Sequence, residues 1–452
     1  MVALASFAAE VNADGGPGSA GARSEANAER ESIAEERLPV IGFRMRGKTK
    51  TTERTARYLS RIDLGDDIGP SDLPRLHQAF LSSELFETVS VSLERAAGGY
   101  LVVATVKDKH SWIIAPTLYV LAGARALGVG FAENNLRGQN QKLLLYGQIG
   151  DRDSMLFGTY LDPSVAGTPL IYRYDFYSYR RVVREFANPR DAPTNNDVAR
   201  ESTTTYLGGG LLIGWRFAWW LTTDLRLRGA NVSFTNAHAP DAPDQPLTPP
   251  EKNGWDVSAQ WRLTLDARHY RYGVRWGAFL QLVGDTTIPG LDDYDYSIAT
   301  LRAYYSWRLF AEHQLELRSI LGVGRELPFH EEQSLGGVGD LRGYAQDRFR
   351  GDLRSLARAE YSVPLAKWRT FAFRAVAFWD SGYAGLFRPR TDPRRDYLPG
   401  HVAGTGWWRN DVGAGFRIYV KAVVLPLLGL DIAYGIEARA PEVYFQLGLT
   451  DF

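Results

Sequence analysis

Residues 334–352 read SLGGVGDLRGYAQDRFRGD, a glycine-rich stretch in which one arginine, Arg342, stands between Leu341 and the pair Gly343 and Tyr344. Two carboxylates follow downstream, Glu360 in ARAEYSVPL and Asp380 in FRAVAFWDSGYAG. Residues two apart share one face of a strand. Arg354, Arg358 and Glu360 therefore lie together, with Tyr361 and Val363 on the other face, and Arg374 and Asp380 share a face of the next strand. Both carboxylates fall on the polar side of amphipathic strands, which in a membrane barrel is the lumen. The plain alternative is a solvated loop arginine and two carboxylates facing water.

The same alternation runs through the chain from residue 110 onward. Trp255, Val257, Ala259, Trp261, Leu263 and Leu265 oppose Asp256, Ser258, Gln260, Arg262, Thr264 and Asp266. Tyr172, Tyr174 and Phe176 oppose Arg173 and Asp175, and Leu221, Leu225 and Leu227 oppose Asp224, Arg226 and Arg228. Charges at every second position would ruin a sandwich core but suit a barrel with a wet lumen and a lipid-facing outside. Connections also alternate in length: compact near 215–220, 364–369 and 425–429, long and polar near 186–200, 237–252 and 385–407. An even number of strands over residues 110–452 would return the last strand to the first. No stretch approaches the roughly 20 apolar residues of a membrane helix, so a membrane crossing here means a closed barrel. The expected fold is a membrane all-β protein, an antiparallel transmembrane β-barrel preceded by one small α+β domain.

That smaller domain spans 38–109 and reads strand, helix, helix, strand, strand. LPVIGFRMRG is the first strand, and TTERTARYLSRI places Thr55, Leu59 and Ile62 on one helical face. A second helix follows Gly69-Pro70 with Ser71 as its N-cap and Leu73, Leu76 and Phe80 recurring at helical spacing. Val89, Val91 and Leu93 then alternate with Thr88, Ser90 and Ser92, and a Gly-Gly turn at 98 and 99 returns the chain. Ahead of this, residues 1–37 read as a signal peptide with a truncated or misplaced start, a cleavage point near Ala13, and a disordered linker rich in small and charged residues.

Several chemistries are excluded. The chain has no cysteine, so disulfides and thiolate chemistry are ruled out. With 52 basic and 52 acidic residues, nothing suggests a nucleic-acid partner. No G-x-S-x-G, Walker A, H-E-x-x-H or dinucleotide motif occurs, and LGGVGD is followed by neither Lys-Ser/Thr nor a helix pattern. The seven histidines, among them His77, His238 and His401, show no metal-ligand spacing. No cofactor, metal or enzymatic activity is expected.

The stretch around Arg342 resembles the inner-loop motif of the BamA and two-partner-secretion transporter superfamily. Phe378, Asp380 and Gly382 match that superfamily's F-x-D-x-G pattern. The resemblance implies a loop folded back into its own barrel and locked by Leu341, Arg342, Gly343 and Tyr344 against Glu360, Phe378, Asp380 and Gly382. It also makes 38–109 similar to a POTRA domain, with Gly65, Asp66, Leu85, Phe86 and Val89 the best-matching positions, and implies for 110–452 an outer-membrane barrel of about 16 strands, about 21 residues for each strand with its connection. The C-terminal EVYFQLGLTDF resembles an outer-membrane β-signal, although Phe452 is one residue out of step with the apolar phase Val443, Phe445, Leu447 and Leu449.

Three uses of such a barrel follow. The first is an outer-membrane assembly factor that opens a lateral seam to β-barrel clients; the second passes an unfolded secreted polypeptide through the lumen; the third is a passive pore. A soluble two-domain β-protein is the remaining reading. Residues 1–37 show no amphipathic plug helix, which favours assembly over secretion. Implied partners are outer-membrane lipid, unfolded polypeptide clients, and periplasmic accessory proteins reaching the POTRA domain. The expected seam joins the strand holding Pro116 and Leu118 to the strand holding Val443, Phe445, Leu447 and Phe452, because Pro116 cannot donate to a ladder and normally sits at an edge or bulge.

Overall fold

A computed structural model describes residues 36–121, 124–186, 198–271, 274–368, 371–386, 407–420 and 426–447. Residues 1–35 and Phe452 lie outside the described residues, and with them the expected leader and terminal aromatic. The first unit comprises β1 (Leu38–Lys48), α1 (Glu53–Ser60), β2 (Asp67–Ile68), α2 (Leu73–Ser82), β3 (Phe86–Ala96) and β4 (Gly99–Asp108). Its sheet runs β2-β1-β4-β3, so β3 forms a long outer edge. Leu59, Leu76 and Phe80 from the helices bury against Val40, Phe43, Phe86, Val102 and Val106, with Val89 partly buried beside them. Leu85 is also in this core, whereas Gly65 and Asp66 shape the turn before β2. Gly65 takes a positive φ of 92° that favours glycine, and Asp66 accepts from the Asp63 amide at 2.8 Å.

One helix start differs from expectation. Ser71 lies inside a short 3-10 turn, Pro70–Asp72, and α2 begins at Leu73. Gly69-Pro70 closes that turn first, and the Asp72 carboxylate accepts from the Gly69 amide at 3.1 Å in a capping role.

A closed ring of antiparallel strands follows: β5 (Trp112–Leu121), β6 (Ala124–Leu136), β7 (Gln141–Gly150), β8 (Asp153–Asp162), β9 (Leu170–Phe186), β10 (Val198–Ala218), β11 (Leu221–Ala239), β12 (Gly254–Asp266), β13 (Val274–Thr287), β14 (Ser297–Arg308), β15 (Gln314–Arg325), β16 (Leu353–Trp368), β17 (Phe371–Gly385), β18 (Trp407–Val420), β19 (Pro426–Gly435) and β20 (Ala440–Leu447). These are the 16 strands of the barrel among the described residues; two short segments, Ala242–Pro246 and His269–Arg271, pair beside them. The alternation resolves as expected: Leu225, Leu227, Trp255 and Trp261 face outward, while Asp175 and Asp256 are buried inside. No described helix is long and apolar enough to cross a membrane.

The first unit docks on the barrel end that carries the short turns. The Thr52 amide and the Thr55 hydroxyl both donate to the Gly138 carbonyl at 3.0 Å, and Asn135 donates to Thr51 at 2.9 Å. Gly138 is required there, since a Cβ would lie 1.9 Å from the Lys50 carbonyl oxygen. Cation–π contacts of 4.0 Å (Arg216 on Tyr58) and 4.2 Å (Arg61 on Trp219) flank the joint.

Candidate functional site

Residues 326–352 connect β15 to β16 and fold back into the lumen, where Leu335, Leu341, Arg342 and Tyr344 are wholly buried. A short ribbon, Gln333–Leu335 against Phe349–Gly351, stiffens the base of this inner loop. Arg342 meets Asp380 through a two-point fork, Nε to Oδ2 at 2.8 Å and Nη2 to Oδ1 at 2.9 Å. Its Nη1 reaches Glu360 at 3.0 Å and Asp431 at 3.5 Å, and the guanidinium lies 3.3 Å from the Phe378 ring centre. A fork on one carboxylate, a second carboxylate and an aromatic face are what a planar guanidinium can use and an ammonium cannot.

The neighbours of Arg342 extend the clasp. The Gly343 amide donates to Asp411 at 3.0 Å, and a Cβ on Gly343 would sit 2.5 Å from the Gly435 nitrogen, so the loop backbone lies directly on β19. The Tyr344 hydroxyl donates to the Asn410 carbonyl at 3.2 Å and bonds Glu437, while Tyr444 donates to the Tyr344 carbonyl at 3.1 Å. Leu341 packs with Leu335, Phe349 and Leu356. Gly382 leaves room for them, since its Cβ would come within 3.2 Å of Leu341. All eight residues expected at the lock are thus brought together. Asp411, Asp431, Glu437 and Tyr444 were missed: alternation gives their face but not their partner, and no motif marks them.

A second attachment on the opposite wall was also missed. Phe329 is 1% exposed, seated among Val183 of β9 and Ala230, Val232 and Phe234 of β11. Beside it a His330 ring nitrogen meets Asp256 of β12 at 3.2 Å, and Arg228 of β11 donates to Glu331 at 2.8 Å and to Asp256 at 3.1 Å. Further along, Asp347 pairs with Arg181 of β9 at 3.1 Å. Asp256, His330 and Glu331 hold ligand-type atoms within 4.8 Å of one another, yet the Arg228 guanidinium already bridges the two carboxylates and supplies the positive charge.

At the seam, β20 pairs with β5 through Phe445–Val120, Gln446–Tyr119 and Leu447–Leu118 among the described residues. Leu118, Phe445 and Leu447 therefore meet there. Among the described residues the ladder between β5 and β20 does not reach Val443 or Pro116, which pair on the other side of their strands with Ile432 of β19 and Val129 of β6.

The Omp85 superfamily domain matches residues 135–450. The fold is similar to CdiB from Escherichia coli, with a TM-score of 0.62 and 13% identity over 94% of this chain and 82% of that one. It is also similar to BamA from Haemophilus ducreyi lacking POTRA domains 1–3, with a TM-score of 0.56 and 15% identity over 90% of this chain and 84% of that one. No curated protein matches the sequence. The family match over most of the barrel, with the closed ring and the inner loop clasped inside it, makes this chain a member of the Omp85 superfamily and an outer-membrane β-barrel.

Proposed function

We propose that this protein is an assembly factor that inserts β-barrel clients into the outer membrane through the seam between β5 and β20. The observation that carries this reading is the inner loop, which reaches from the Phe329 seat on β9 and β11 to the Arg342 clasp on β16–β19 and so crosses the lumen. A polypeptide passing through the lumen would have to break both attachments. A client entering at the seam would break only backbone pairing of the kind it brings with it.

In this reading residues 38–109 act as a POTRA domain in the periplasm. Its β3 offers an unpaired sheet edge to an extended client, and backbone pairing tolerates many side-chain sequences.

The test uses the observed register. Leu118 and Leu447 are directly paired and the chain has no native cysteine, so Leu118→Cys with Leu447→Cys can form a disulfide if their Cα atoms lie within about 7 Å. Oxidation is expected to stop client insertion and reduction to restore it. A barrel shown to be crosslinked that still handles clients would exclude lateral opening and favour transport through the lumen.

A further inference from the structure

A cavity of about 790 Å³ lies between the Ser83–Leu85 turn of the first unit and the inner wall formed by β5–β9 and β11. Its size is within the range of about 300–1,000 Å³ found for ligand sites. Much of the lining is apolar, including Leu85, Ile113, Leu144, Phe157 and Leu161. An ordinary water-filled lumen wall would be lined by polar side chains. This one mixes apolar side chains with a few charges.

Those charges are unequally matched. Glu84 is paired with Lys109 at 2.5 Å, and Asp175 is shared by Arg226 at 2.5 Å and Arg173 at 3.4 Å. Lys142 also lines the cavity and makes no hydrogen bond or ion pair with any described residue. Its cross-strand neighbour on β8 is Leu161. A cation over apolar surface without a counter-charge is costly, and a carboxylate brought to it would be attracted more strongly than in open water. The surroundings of that carboxylate would be apolar side chains.

We propose that this cavity is a subsite for an extended polypeptide segment carrying a carboxylate flanked by apolar side chains, with Lys142 as its charge-selecting residue. The proposal rests on the reading that the protein handles polypeptide clients, and it adds a preference that backbone pairing alone cannot supply. Lysine suits the task because its single flexible ammonium can follow a carboxylate at varied positions, whereas an arginine fork demands one geometry.

The full chain in lipid nanodiscs is titrated with three fluorescent peptides of equal length, alternating valine with glutamate, glutamine or lysine, and binding is read by anisotropy. The glutamate peptide should bind about tenfold more tightly than the glutamine peptide. That gap should close in Lys142→Met, narrow without closing in Lys142→Arg, and turn toward the lysine peptide in Lys142→Glu. Pairing at the β3 edge would bind all three peptides alike and leave the Lys142 variants unchanged, which would overturn the proposal. Laurate binding that depends on Lys142, without any peptide preference, would overturn it in favour of a lipid ligand. Neither result touches the seam, whose disulfide test reads client insertion independently.

Discussion

Arg342 reaches β16, β17 and β19 with one side chain, while the amide of Gly343 reaches β18. Asp380 and Asp411 stand directly opposite each other in the β17–β18 register, an arrangement that is unfavourable for like charges without positive charge or amide donors between them. Arg342, Arg358 and the Gly343 amide supply those. Removing Arg342 takes the fork from Asp380 and leaves that buried carboxylate with Arg358 alone, a loss below the roughly 3–5 kcal/mol of a fully broken buried pair and smaller still where lumen water enters. We expect Arg342→Ala and Asp380→Ala each to raise the protease sensitivity of the inner loop, and to be non-additive by about 0.5–3 kcal/mol in a double-mutant cycle. Simple additivity would mean the pair does not hold the loop. Arg342 and Asp380 were legible in the sequence because both sit in recognisable short patterns. Asp411 and Asp431 were not, because nothing local distinguishes them from other lumen-facing carboxylates.

The inner loop behaves as an element with two attachments of different chemistry. One is the guanidinium clasp on β16–β19; the other is an apolar seat in which the Phe329 ring packs edge-on against Phe234 at 6.0 Å. Truncating a buried phenylalanine to alanine costs about 3–5 kcal/mol. Phe329→Ala should therefore free the first part of the loop while the Arg342 end stays seated. Limited proteolysis read by mass spectrometry should find new cuts near residues 326–333 and none near 340–348. Cuts spread evenly over the loop would show that the two attachments release together. The strands around them were readable from alternation; the Phe329 seat was not, because it joins residues from β9, β11 and the loop that no local period relates.

At the scale of the whole molecule, two separately cored units meet at a polar joint. The barrel closes through its own ladders, and the first unit carries its own apolar core of helices on a sheet. Deleting residues 38–109 should leave a barrel that still migrates with heat-modifiable mobility, but that no longer handles clients. The joint residues Thr51, Thr52 and Thr55 contribute hydrogen bonds to the barrel turns without completing its ring. Client insertion at the full rate by the shortened chain would remove the unit from the mechanism. A barrel that fails to fold would show that docking, not handling, is the unit's task.

The sequence by itself determined the barrel, its inside and outside faces, the first strand, the α+β unit and the arginine that enters the lumen. Each of these is written in local periodicity or a short motif, since a lipid-facing or helical surface constrains every second residue or every third and fourth. Only the tertiary structure decided that Asp411 and Asp431 join the clasp, that Phe329 anchors the far side, that Leu118 faces Leu447, and that Lys142 makes no ion pair among the described residues. These depend on register accumulated around a closed ring, where a slip of one residue turns every side chain to the other face.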